Sequence, residues 1–387
     1  MANIAVVKSV VIWAVISLQL IAVSVASEAS SSAANKRNDP IRVTFINPSV
    51  QGEPFWEPLT NVMKAAARDL NIELKVVYTD ANRFTYTAAV MEEINADIPP
   101  DFLVYIFLRG QGAALLSAAE QKGLRSFLIN SSVPVEEREE IGLPREKYPH
   151  WLGHMYADDV KVGYDLAEHL FQLARRNGIA NPEMIAVGGV KDSSATLDRD
   201  EGLLTYLQQQ PALNLNQLVH ASWTGATTPR KAGGLLKRYA NTHIIWAAND
   251  SIAIQASITA NELRGTRENI WVGGVDWSAA GIAAVKDGLI DVTYGGHFLE
   301  GASVMVLLHD FYHGHDFGDQ SLVFKTTLQA ITLDNYHQFE ALLSDQTWSG
   351  VDFAQFSKIG KDLDDDQDYS FDWQTILSQR STPATTD

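Results

Sequence analysis

The chain has no cysteine among its 387 residues. That excludes disulfides, thiolate metal sites, a cysteine nucleophile and lipid attachment through an N-terminal cysteine. Positive charge is also scarce: 30 Lys and Arg stand against 47 Asp and Glu, a formal net charge of -17. No basic cluster offsets this balance, so no nucleic-acid footprint and no attraction to an anionic membrane surface are expected. Beyond the first residues there is no second long apolar run of the ~20 residues a membrane span needs. The remainder, 46% hydrophobic and 20% charged, is globular material with enough length for two domains.

The amino-terminal residues follow the pattern of a secretory signal. Lys8 and the terminal amine supply positive charge, and Val10 to Val23 an apolar run interrupted by Trp13 and Gln19. Ser24-Val25-Ala26, or Ser27-Glu28-Ala29, offers small residues for cleavage. A retained membrane anchor is the competing reading, but the run is short for a span. The sequence therefore predicts a cleavable signal over 1–26, a flexible polar leader over 27–40 and a soluble periplasmic chain.

From residue 41 strand and helix patterns alternate. IRVTFIN (41–47) reads as a buried parallel strand. A loop with Pro48, Gly52 and Pro54 follows, and Phe55 and Trp56 open an amphipathic helix. Further strands are expected at Ile72–Tyr78, Phe102–Phe107 and Leu124–Ile129, with helices at Phe84–Ala96 and Gly110–Lys122. Glu136–Pro149 breaks the rhythm as a charged surface excursion, His150–Ala157 is extended, and Asp158-Asp159 begins a long helix. A second set of strands follows at 184–188, 215–221, 243–247, 270–275 and 290–294, each leading into a helix. This rhythm implies parallel sheets with right-handed crossovers in two α/β lobes and a cleft between them. Residues 346–387 differ: Leu363–Asp368 is strongly acidic and SQRSTPATTD reads as a disordered tail.

Several ordered landmarks resemble one family. Glu53-Pro54-Phe55-Trp56 resembles a polar-Pro-aromatic-aromatic step, and Ala157-Asp158-Asp159-Val160, before a helix with Gly163, a first crossover. Arg199-Asp200-Glu201-Gly202 resembles an Arg-x-x-Gly helix start. Trp246-Ala247-Ala248-Asn249-Asp250 and Val272-Gly273-Gly274-Val275-Asp276 resemble ligand-binding strand ends. Over roughly residues 41 to 345 the chain is similar to type I periplasmic binding proteins of the ribose-binding and autoinducer-2-receptor kind. The resemblance implies an α/β fold of two doubly wound parallel-sheet lobes joined by a multi-strand hinge (periplasmic binding protein-like I). Lobe 1 would be 41–157 plus about 297–333, lobe 2 158–296 plus about 334–345, and 346–387 an acidic C-terminal extension. The chain departs from ribose binders at Glu53, at Asn130-Ser131, where they have Asp-Arg, and at Gly295-Gly296, which leaves His297 as the nearest polar hinge residue.

The implied ligand site comprises Gln51, Glu53, Phe55, Trp56, Arg199, Asn249, Asp250, Asp276, Trp277 and His297. Carboxylates and amides bind the hydroxyl edge of a sugar-like ligand, while aromatic rings, with Trp223 a further candidate, cover its C–H face. Three or four charge-assisted hydrogen bonds of ~1.5–3 kcal/mol each, less ordering costs, suit a Kd near ~1 μM. Plainer roles compete: Asp250 and Asp158 as helix N-caps, Phe55 as core, Trp277 packed beneath the hinge, and Arg199 paired with Asp198 or Asp200. His309, His313 and His315 have zinc-like spacing at a helix end, and Asp362, Asp364, Asp366 and Asp368 echo a calcium loop. Gln367 replaces the loop glycine and Trp373 its bidentate Glu. No metal and no cofactor are therefore expected.

The leading reading is a monomeric periplasmic solute-binding protein that captures a small sugar or polyol for an ABC-type permease. A sensor that signals to a membrane kinase or cyclase is the alternative. An exported glycoside hydrolase using Glu53 and Asp276 is a third reading, without a nucleophile elbow, metal triad or phosphate loop to support it. A repressor is disfavoured by the export signal and the lack of a basic helix-turn-helix.

Overall fold

A computed structural model describes residues 40–266, 268–344, 348–361, 368–371 and 373–380. The predicted signal, most of the leader, the acidic run 362–367 and the last seven residues lie outside the described residues. Asp362, Asp364 and Asp366 are therefore not placed.

The predicted alternation forms two six-stranded sheets. The first contains β1 (Ile41–Asn47), β2 (Ile72–Tyr78), β3 (Phe102–Tyr105), β4 (Ser126–Asn130), β5 (Trp151–Ala157) and β11 (Val323–Thr326), in the order β11-β5-β4-β3-β1-β2. The second contains β6 (Glu183–Gly188), β7 (Asn214–His220), β8 (Thr242–Ala247), β9 (Trp271–Asp276), β10 (Val292–Gly295) and β12 (Gln329–Thr332), in the order β12-β10-β9-β8-β6-β7. Pairing is parallel from β11 through β5, β4 and β3 to β1 and from β10 through β9, β8 and β6 to β7, whereas β12 joins β10 antiparallel. The described residues from 42 onward form one compact unit that spans both sheets. The chain passes from one sheet to the other after β5, after β10 and after β11.

Helices link the strands: α1 (Trp56–Asp69), α2 (Arg83–Ile94), α3 (Gly112–Lys122) and the short α4 (Arg138–Ile141) precede β5. α5 (Asp159–Arg176), α6 (Ser194–Gln209), α7 (Thr228–Arg238), α8 (Asp250–Arg264) and α9 (Ala279–Lys286) accompany the second sheet. A 3-10 turn (His297–Leu299) leads into α10 (Glu300–Tyr312), and α11 (Tyr336–Ser344) and α12 (Trp373–Arg380) follow β12.

Local chemistry explains these elements. All four residues of β3, FLVY, are buried, as a continuous apolar strand covered on both faces requires. In α5 the Asp158 side chain accepts from the Lys161 N–H, and Val162, Leu166, Leu170 and Ala174 bury one stripe at helical spacing. Each fully buried Leu or Val contributes about 1.5–3 kcal/mol. β3 ends two residues before the predicted Phe107, and the helix expected after 290–294 is preceded by the 3-10 turn that contains Phe298. The excursion 136–149 contains α4 and is anchored by a bidentate Arg145–Asp316 pair at 2.6 and 2.8 Å.

The α5–α6 contact prepares the functional region. A Cβ on Gly163 would run into the Arg199 backbone carbonyl, and one on Gly202 into the Val160 carbonyl. Only glycine lets the helices approach this closely. Gly202→Ala is therefore expected to cost about 1–3 kcal/mol, the usual range for overpacking, as read by urea unfolding. A variant as stable as the parent would contradict this account of the crossing.

The C-terminal region departs from the sequence expectation. Trp348, Val351, Phe353, Tyr369 and Ile376 are buried, and α12 forms within the stretch read as an acidic extension. Apolar and aromatic residues scattered among the acids drive its docking; net acidity describes the surface, not the contacts.

Candidate functional site

The carboxyl ends of β1, β8, β9 and β10 bring together side chains far apart in sequence, where open α/β sheets present ligand sites. On the first-sheet side, Glu53 Oε2 accepts from the N–H groups of Phe55 (3.0 Å) and Trp56 (2.8 Å), holding the start of α1. This satisfies orphan helix donors and places a carboxylate at the positive helix end. Burial raises the Glu53 pKa, against the pull of those two hydrogen bonds. Phe55 stacks on the His297 ring, centroids 4.6 Å apart at 23°, and meets Trp56 edge-on at 5.1 Å. Trp56 leans on the core through Phe45 at 6.4 Å. Gln51 is exposed in the turn before Glu53.

On the second-sheet side Arg199 is 4% exposed and lies within α6, not at its start. Its Nε donates to Asp159 Oδ1 (2.7 Å) and its Nη1 to the Ala248 carbonyl (2.6 Å). Neither sequence neighbour is its partner: Asp198 accepts from Ser132 Oγ of the first-sheet side (2.7 Å), and Asp200 bonds His220 (2.6 Å). Trp223 lies under the guanidinium at 5.8 Å. Burial works against the Arg199 charge, but Asp159 and Asp276 more than offset it and push its pKa up. Burial also pushes Asp159 up to about 6 despite the arginine beside it.

Asp276 stands at the end of β9 with its Oδ1 3.9 Å from Arg199 Nη1 and 3.7 Å from His297 Nε2. Both distances are too long for hydrogen bonds. Burial first, then the nearby Asp250, Glu53 and Asp159 charges, hold its pKa well above the usual carboxylate range despite Arg199. Burial and then Arg199 push His297 well below its ordinary value, so its imidazole is neutral at pH 7 and its contact with Asp276 is not an ion pair. His297 Nδ1 is buried with no hydrogen-bond partner among the described residues. Such orphans are uncommon and call for an explanation. The cluster thus combines an aromatic face, a neutral imidazole, and a carboxyl and a guanidinium with bonding capacity left.

Three predicted residues are committed elsewhere. Asp250 accepts from Ser278 N (2.9 Å), Ser278 Oγ (2.8 Å) and Thr293 Oγ1 (2.6 Å), so it braces the second sheet. The N-cap of α8 is Asn249, whose Oδ1 accepts from Ile252 N (3.0 Å) while its Nδ2 donates to the Trp223 carbonyl (2.9 Å). Trp277 is 2% exposed and packs against Phe339 at 4.7 Å, beneath the site rather than on its lining. Sequence reasoning passed over Asp159, read as part of a helix start, although a buried arginine needs such a partner. It also passed over Glu300, which is 1% exposed in the first turn of α10.

His309 and His313 rings lie 4.6 Å apart, but His309 Nδ1 is bonded to Asp310 (2.8 Å). Among the described residues no group of three or more His, Cys, Asp or Glu could hold a metal ion. No described helix is long and apolar enough to cross a membrane.

Residues 43–310 match the family described as periplasmic binding protein domain. Among solved structures, a periplasmic sugar-binding protein from Pseudomonas fluorescens is 30% identical, with a TM-score of 0.77 over 87% of this chain and 99% of that one. The periplasmic binding protein component of the arabinose ABC transporter from Shewanella, bound to L-arabinofuranose, is 17% identical, with a TM-score of 0.68 over 79% and 96%. A fructose-binding periplasmic domain of a hybrid two-component system is 15% identical, with a TM-score of 0.66 over 79% and 94%. The last two are likenesses of fold alone. No curated protein matches.

Proposed function

The chain belongs to the periplasmic binding protein domain family, a family of binding proteins rather than enzymes, and from that premise we propose that it captures a small neutral sugar between its two sheets for an ABC-type importer. One observation carries the reading: Asp276 and Arg199 of the second-sheet side face the Phe55–His297 stack at the strand ends. A sugar offers hydroxyls to the carboxyl and guanidinium and a C–H face to the stacked rings. The guanidinium is already committed to Asp159 and the Ala248 carbonyl, and the neighbouring carboxyls are acidic. That balance disfavours sugar acids and sugar phosphates, whose charge would lack a free cation. Closure of the lobes is stabilised by contacts the ligand makes with both sides at once. Lobe boundaries near 157/158 and 296/297 follow from the same reading, while the third falls between β11 and β12, at about 327–328 rather than the expected 333/334, because β12 pairs with β10 in the second sheet.

The fructose-binding likeness favours a second reading, delivery of the signal to a membrane sensor, with the same ligand step. In either case residues 1–26 act as a cleavable export signal and the mature chain works as a periplasmic monomer. Mass spectrometry of the exported protein checks that: a mature chain still carrying residues 1–26 would oppose it.

The test of the site is a thermal-shift screen of pentoses, hexoses and polyols, followed by calorimetry on the tightest. Asp276→Ala and Phe55→Ala are each expected to weaken binding by about 10–100-fold, the loss of one charge-assisted bond or one packed ring face, ~1.5–3 kcal/mol. Unchanged affinity in both would reject the site.

A further inference from the structure

The C-terminal stretch grips both halves of the molecule. On the first-sheet side the Phe353 N–H donates to Asp69 Oδ2 at the end of α1 (3.1 Å), and Trp348 packs against Phe298 at 5.8 Å. The buried Asp310 carboxylate in α10 accepts from Ser357 Oγ (2.5 Å), Lys358 N (2.7 Å) and Tyr369 Oη (2.9 Å). Tyr369 N donates to Gln320 Oε1 (2.6 Å). The chain then returns to the second-sheet side, where Trp373 meets Phe339 at 4.7 Å and Trp277 edge-on at 6.5 Å.

Trp277 is a sensitive place to hold. It follows Asp276 directly, and both have positive φ, 130° and 55°, a conformation that non-glycine residues keep only when their surroundings impose it. Its indole fills the space a side chain at Gly295 would need and lies 3.4 Å from where a Cβ of Gly296 would be. Gly296, at φ 104°, immediately precedes His297. One ring thus backs both the turn that presents Asp276 and the turn that presents His297.

We propose that residues 348–361, 368–371 and 373–380 form a clamp across the hinge. Trp373 and Phe339 press on Trp277 and so fix the Asp276–Trp277 turn and the Gly295–His297 loop, while Tyr369 and Asp310 anchor the clamp to the opposite lobe. Trp373 is therefore a positioning residue for the ligand cluster, without touching the ligand. The effect on affinity rests on the sugar-binding reading; the effect on the two turns does not.

Hydrogen exchange by mass spectrometry, on the full mature chain without added sugar, separates the two. Trp373→Ala is expected to speed exchange about 10-fold or more in peptides covering 276–278 and 295–299, with peptides of β3 and β4 unchanged. Trp373→Phe should restore most of the protection. Sugar affinity in the same variants should follow the same order, falling about 10-fold in Trp373→Ala. If Trp373→Ala loses protection throughout, Tyr369→Phe, which removes only the hydroxyl on Asp310, decides; about 3-fold faster exchange at the same peptides is expected. Unchanged exchange at both turns in the folded variants overturns the clamp, even if sugars bind. If the exchange contrast holds but no sugar binds the parent, the clamp stands and the sugar reading fails.

Discussion

Replacing Arg199 with alanine is expected to destabilise the fold by about 3–5 kcal/mol, the cost of leaving buried carboxyls without their cation. Arg199 is 4% exposed, and its two short bonds go to a buried carboxylate and a backbone carbonyl, both of which would lose their donor. Asp276 would lose the Arg199 charge that works against its burial, and the neutral His297 supplies none in its place. Urea unfolding at pH 7 measures the loss. Arg199→Lys is expected to recover less than half, because one ammonium cannot span the fork that reaches Asp159 and Ala248 together. Adding Asp159→Asn to Arg199→Ala should return part of the stability, since the pair is coupled and the amide needs no counter-charge. A loss below about 1 kcal/mol in Arg199→Ala would place the arginine at the surface after all.

Glu300→Gln is expected to stabilise the protein at pH 8.5 or above and to leave it unchanged near pH 4. Glu300 is 1% exposed, and neither carboxyl oxygen has a hydrogen-bond partner among the described residues. Burial pushes its pKa up to about 8, with Asp159 adding to the effect and nearby Thr326 working against it. A carboxyl raised in the folded state stabilises fully below its unfolded value of 4.5, and that contribution is lost as pH rises through about 8. The span from 4.5 to about 8 sets a ceiling of about 5 kcal/mol, and relaxation of the site makes about 2–4 kcal/mol the expected gain. Asp159 and Asp250, each raised to about 6 by burial, give the same sign over a lower window, from about 4 to 6. His154, pushed down to about 4 by burial, acts oppositely, so its share of stability is lost as pH falls from 6.5 toward 4. Subtracting the parent's pH profile from the variant's isolates the Glu300 component. A difference that does not grow between pH 5 and 8.5 would show the carboxyl to be solvated.

Features that depend on neighbouring residues were readable in the sequence. The strands at Ile41–Asn47 and Ile72–Tyr78 fall where their apolar runs begin and end, and Asp158 caps α5 as its place before the periodic stripe implies. Glu53, Phe55, Arg199, Asp276 and His297 converge because each sits near a strand end or on a helix packed close to one. Partner choice was not readable. Asp159 and Arg199 meet across 40 positions because two glycines let α5 and α6 touch, while Asp198 and Asp200, nearer in sequence, point elsewhere. Asp250 and Trp277 occupy strand-end positions too, but one braces Ser278 and Thr293 and the other backs the turns from below. Strand position alone does not say which face a side chain serves. The C-terminal docking was hidden for a related reason: composition records its acids, whereas Trp348, Phe353, Tyr369 and Trp373 supply its contacts.

The central claim, a sugar held between the sheets by Asp276 and Arg199 against the Phe55–His297 stack, is tested most directly by a crystal structure with the tightest sugar from the screen. The account predicts hydroxyls within hydrogen-bond distance of Asp276 and Arg199, and the sugar's C–H face on the ring of Phe55. Sugar bound instead in the cavity of about 440 Å³ between the 138–147 excursion and Trp151, with the strand-end cluster untouched, would contradict it.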